Sequence, residues 1–212
     1  MEAKNYLKDI SDIKEMMNRS SRFISLSGLS GIMAGIYALL GAALAKYYLS
    51  NYNTIYRNYD DVTTNTISEQ LVTDLILIAS SVMVLATLTA IVLTTKKARK
   101  NNEKIWTSTS KRLLAGFCIP LFSGGLFCLV LVQYGVVGLV APATLLFYGL
   151  ALINASKYTV GDIKYIGLIN VFLGLISTQF IGYGLYFWAL GFGVLHIIYG
   201  IIMYNKYDRK SA

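Results

Sequence analysis

The sequence predicts an all-α fold, a polytopic transmembrane helical bundle of six spans with both termini in the cytoplasm. Three observations predict it. Charged residues make up only 14% of the 212 residues and hydrophobic ones 55%, whereas about a quarter of a soluble domain is charged. Six apolar runs each approach the roughly 20 helical residues needed to cross a hydrocarbon core. Lysine and arginine sort almost wholly to one side of those runs.

The predicted spans cover 23–47, 75–95, 113–134, 137–155, 163–181 and 185–204, within a membrane domain running from 22 to 207. Continuous apolarity selects helices, because barrel strands alternate over about ten residues. Seventeen of the 19 basic residues fall in the N-terminal segment, the second and fourth connections and the tail, leaving Lys46 and Arg57 on the other side. Under the positive-inside bias this places both termini in the cytoplasm and requires an even number of spans. The first run, from Phe23 to Ala45, exceeds the roughly 7–15 apolar residues of a signal peptide. An uncleaved first helix is therefore expected, despite the small-x-small box Ala43-Leu44-Ala45.

The net charge of +8 resides in residues flanking apolar runs, which points to anionic lipid at the cytoplasmic face and away from nucleic acid. Cys118 and Cys128 share one run, and ten residues of helix separate them by about 15 Å, beyond disulfide reach. Free thiols are expected.

Outside the bilayer, residues 1–21 read as a cytoplasmic amphipathic helix. Tyr6, Leu7, Ile10, Ile13 and Met17 fall on one side, with Lys4, Lys8, Asp12 and Arg19 opposite. Residues 208–212 form a cytoplasmic tail. The loop from Tyr48 to Asp74 is rich in tyrosine and asparagine, which suits a membrane interface or a contact surface. Its Asp60-Asp61 pair lacks the further oxygen ligands a cation site needs.

Apolar helices gain little from meeting one another in lipid, so small residues and interhelical hydrogen bonds decide the contacts. Ser27, Gly31 and Gly35 recur at four-residue steps in the first span, and Gly193 and Gly200 bracket His196 in the sixth. Pro120, with Ser123-Gly124-Gly125, marks a bend in the third span. Two hairpins show a faint likeness, with Tyr148-Gly149 and Asn154 echoed by Tyr199-Gly200 and Asn205.

The single histidine, His196, is the intramembrane ionisable residue and so the leading functional candidate. The expected partner is the fifth span, whose Asn170, Gly174 and Ser177 share a face, with His196 bonded to Asn170 or Ser177. A second candidate is a hydroxyl stripe at Thr73, Ser80, Thr87 and Thr94 in the second span. Its 21-residue reach covers about 31 Å, so it either walls a polar pathway or bonds back to its own helix.

Enzymatic readings fail on inventory. One histidine cannot supply both axial ligands of a six-coordinate haem. Neither a nucleophilic triad nor the HExxH zinc signature is present. No catalytic or metal site and no cofactor is expected.

The stretch Ser20-Ser-Arg-Phe-Ile-Ser-Leu-Ser-Gly-Leu-Ser-Gly31 and the ending Leu195-His-Ile-Ile-Tyr-Gly200 through Tyr207 resemble uncharacterised bacterial multi-pass membrane proteins of similar length. That resemblance implies the cytoplasmic membrane of a bacterium and carries no activity, substrate or site. Two functions remain open. One is a binding, scaffold or regulatory component that self-associates or meets another membrane protein, and the other is a small-solute transporter or channel with a pathway between helices.

Overall fold

A computed structural model describes residues 27–57, 69–102 and 105–208. The amphipathic segment 1–21, the first residues of the first predicted span, the middle of the tyrosine-rich loop and residues 209–212 lie outside the described residues.

Among the described residues six helices follow in order: α1 (Gly28–Arg57), α2 (Glu69–Lys100), α3 (Ser108–Gln133), α4 (Val140–Ala155), α5 (Ile163–Ser177) and α6 (Gly184–Asp208). No β-strand occurs among the described residues. Single 3₁₀ turns, Val137–Leu139 and Ser156–Tyr158, flank α4. α6 is composite, with π-helical turns at Ala189–Val194 and Tyr204–Asp208 between and after its α-helical parts.

Five of these helices are long and apolar enough to cross a membrane, and α5 is the shorter sixth at 15 residues. Several helix ends differ from the predicted spans. α1 continues past Tyr47 to Arg57, where a loop was expected. α2 extends beyond its apolar run at both ends. α5 ends at Ser177 rather than Ile181, because Thr178 Oγ1 donates to the Leu175 carbonyl and the chain tightens into i to i−3 bonds. Gly182, at φ +97°, then turns the chain into α6 with a backbone that side-chain-bearing residues resist.

α2 lies against α1, α1 against α6, and α6 reaches α4 and α5, while α4 is packed between α5 and α3. The close crossings are made by small residues. A Cβ on Gly31 would lie 3.2 Å from the Gly200 Cα, and one on Gly200 would lie 2.5 Å from the Ile32 backbone nitrogen. The α4–α5 crossing is built the same way, with a Cβ on Gly149 placed 2.6 Å from the Gly167 carbonyl oxygen.

The perimeter is apolar: Leu77, Leu88, Phe122, Leu126 and Phe172 are all more than half exposed. Exposed apolar surface of this extent marks an interaction site such as a membrane, and hydrocarbon requires each backbone polar group to be satisfied inside its own helix. This all-helical molecule is compatible with a multi-pass membrane protein.

One end of the bundle is tied by polar contacts. Asp208 accepts from Lys97 Nζ, from the Gly28 backbone N–H at 3.0 Å and from Ser27 Oγ at 3.4 Å. A carboxylate from the end of α6 thus caps the Gly28 N–H in the first turn of α1 and pairs with the end of α2. At the same end Asp162, before α5, accepts from Lys206 Nζ at 2.6 Å and Tyr207 Oη at 3.1 Å.

Candidate functional site

α4 and α6 bring Tyr148 and His196 together inside the bundle, where His196 is 8% exposed. The π-turn Ala189–Val194 ends two residues before the histidine, and His196 Nδ1 lies 2.9 Å from the Gly191 carbonyl oxygen. That oxygen can only accept, so Nδ1 carries the hydrogen. In the neutral ring Nε2 is then the acceptor, and it takes the Tyr148 hydroxyl hydrogen across 2.7 Å. Both ring nitrogens are thereby consumed by internal partners. Aromatic rings complete the surroundings: Phe192 stacks on His196 at 6.0 Å and tilts against Tyr148 at 4.9 Å, and Phe117 meets Tyr148 edge-on at 6.0 Å.

The expected bond from His196 to Asn170 or Ser177 is not formed. Asn170 is fully buried, its Nδ2 donates to the Ile166 carbonyl of its own helix, and its Oδ1 has no hydrogen-bond partner. Ser177 Oγ is likewise buried and unpartnered. Asn170 and His196 instead meet the same residue. His196 bonds the Gly191 carbonyl, while a Cβ on Gly191 would lie 2.7 Å from Asn170 Oδ1.

The glycines flanking His196 explain the correction. They lie against α1, not α5: a Cβ on Gly193 would strike the Leu39 side chain at 2.4 Å, and one on Gly35 would sit 2.6 Å from the Gly193 carbonyl oxygen. With α1 occupying that side, the imidazole reaches α4. Gly31, Gly35, Gly193 and Gly200 therefore form one α1–α6 seam, and Ser27 stands at its end beside Asp208.

The hydroxyl stripe is not brought to this site. Thr73, Ser80 and Thr87 are exposed and Thr94 is half-buried, with its Oγ1 unpartnered. Residues of α2 that meet α1 include Ile78 and Val82, against Gly41, and Thr89, whose Oγ1 is 3.3 Å from Tyr37 Oη. Ser80 and Thr87 each lie two positions from one of these, which at 100° per residue is nearly the opposite side of the helix. A pathway between the helices described does not run along them.

Tyr148 and Asn154, which the sequence marks only through the hairpin likeness, have bonding roles that it does not show. Tyr148 sits mid-span, whereas membrane tyrosines favour the interfaces, and that misplacement is the signal that it needs a buried partner. Asn154 compensates a proline. Pro120 has no N–H to give the Gly116 carbonyl four residues earlier, and Asn154 Nδ2 of α4 donates to that oxygen at 2.8 Å.

Among the described residues no group of three His, Cys, Asp or Glu side chains is placed to hold a metal ion. Cys118 and Cys128 are free thiols. The chemistry this arrangement offers is cohesive: a phenol, an imidazole and a backbone carbonyl in series fasten α4 to α6. Compared with family models, curated proteins and solved structures, the chain matches none.

Proposed function

We propose that the chain is a six-span protein of a bacterial cytoplasmic membrane, with both ends in the cytoplasm, acting as a binding, scaffold or regulatory component rather than as an enzyme. The adjacency of Gly28 and Asp208 supports an even number of crossings. The basic residues of that same end, Lys97, Lys206 and their neighbours, support its cytoplasmic assignment and its contact with anionic lipid. α5 is about 22 Å of apolar helix, which is short for a crossing, and it is counted as the sixth span because the adjacency of Gly28 and Asp208 favours an even number.

The observation that carries the functional reading is the state of His196. Its two ring nitrogens serve Tyr148 and Gly191 and its ring is stacked among aromatics, so the histidine is a tie between helices. A static bundle whose lipid-facing helices are free to meet a second copy or another membrane protein fits that tie.

A transporter or channel is the second reading, favoured by the unpartnered Asn170 Oδ1 and Ser177 Oγ along α5. Purified protein in liposomes separates the two. A scaffold passes no added ion or small solute above empty vesicles and retains a membrane partner in mild detergent. Flux that falls in Asn170→Leu or Ser177→Ala, with folding intact, selects the transporter.

A further inference from the structure

At the end of the bundle opposite Ser27 and Asp208, an open groove of about 190 Å³ runs between α1 and α6. Leu39, Ala42 and Leu185 wall it, and Lys46 and Tyr186 mark its outer end. Lys46 lies seven residues beyond Leu39, which is about 10 Å along the helix axis. The lining is apolar throughout except at that end.

Lys46 is exposed and pairs with no carboxylate among the described residues. The ion pairs among the described residues are Lys97–Asp208 and Lys206–Asp162, and Asp74 at this end of α2 bonds Gln70 instead, at 3.2 Å. Lys46 Nζ donates to Tyr186 Oη at 3.0 Å and lies 5.0 Å from the ring centroid. Because the phenol oxygen accepts from Lys46, its own hydrogen is free to donate outward. An ammonium and a hydroxyl hydrogen therefore converge at the end of an apolar furrow. Exposed Tyr47, Tyr48 and Tyr183 beside them mark headgroup depth.

We propose that this groove holds one anionic phospholipid, its acyl chain against Ala42 and Leu39 and its phosphate on Lys46 and Tyr186. The charge requires an anionic amphiphile, since a zwitterionic headgroup brings a second cation to the lysine. The proposal rests on the membrane placement above and is independent of the scaffold role.

The test is native mass spectrometry of the full chain in mild detergent, titrated with phosphatidylglycerol and, separately, phosphatidylcholine of identical chains. One phosphatidylglycerol is retained about five-fold more tightly than phosphatidylcholine, as expected for one basic residue acting on an anionic headgroup. Lys46→Gln removes that preference, Lys164→Gln at the opposite end keeps it, and Ala42→Phe, which fills the furrow, weakens both lipids. Soluble glycerol phosphate fails to compete, which assigns the site to the lipid and not to free phosphate. Equal retention of the two lipids, or equal loss in Lys46→Gln and Lys164→Gln, overturns the site and leaves the membrane placement standing. A chain that is monodisperse without detergent overturns the placement itself.

Discussion

The Tyr148 hydroxyl stands 2.7 Å from His196 Nε2 and joins α4 to α6 through the middle of the bundle. Its strength follows from the Gly191 carbonyl, which holds the ring's other nitrogen and leaves Nε2 nothing to do but accept. Replacing Tyr148 by Phe strands a buried acceptor, a loss of about 1–2 kcal/mol. Thermal unfolding in mild detergent measures it. The cycle formed by Tyr148→Phe, His196→Leu and their double variant yields a coupling of about 0.6–1.7 kcal/mol, and no coupling refutes the bond.

Gly200 and Gly125 make opposite predictions for one chemical change. A Cβ on Gly200 meets the Ile32 nitrogen at 2.5 Å and the Gly28 carbonyl oxygen at 2.8 Å, whereas nothing lies within 4 Å of one on Gly125. Gly200→Ala forces α1 and α6 apart and destabilises by about 1–3 kcal/mol. Gly125→Ala is neutral or stabilises by up to about 1 kcal/mol, from helix propensity. Similar melting shifts in the two variants contradict the seam.

Asn154 and Pro120 predict a rescue. Asn154→Ala orphans the Gly116 carbonyl and costs about 1 kcal/mol. With Pro120→Ala also present, the new Ala N–H bonds Gly116 within the helix, and most of the Asn154→Ala penalty disappears. An undiminished penalty in the Pro120→Ala background means that Asn154 acts otherwise.

Asp208→Asn tests the cap on α1. Losing the charge at that helix N-terminus weakens the first turn by about 1 kcal/mol. Amide exchange at Gly28 then accelerates about five-fold. Protection equal to the parent's removes Asp208 from this role.

The helical class was legible because hydropathy accumulates over twenty residues, and single misplacements hardly matter at that scale. Contacts demand angular phase, and there the sequence was partly opaque. Offsets of three and four from His196 place Gly193 and Gly200 on one side of α6, but they do not tell that α1 rather than α5 lies there. The repeat of Thr73, Ser80, Thr87 and Thr94 was readable as a line, but which side α1 would cover was not; Thr89, two positions from Thr87, is the hydroxyl that meets Tyr37. Asn154 was visible in the sequence, yet nothing in its own span tells that a proline on α3 has freed a carbonyl opposite it.

Cysteine labelling of intact cells reaches the central claim most directly. In a Cys118→Ser, Cys128→Ser background, a membrane-impermeant maleimide is offered to Asn51→Cys, beyond the apolar part of α1, and to Asn205→Cys, near the end of α6; both positions are exposed. The account predicts that Asn51→Cys labels in intact cells and that Asn205→Cys labels only after the membrane is opened. The reverse pattern, or labelling of both sites from outside, contradicts a bundle whose chain termini share the cytoplasmic face.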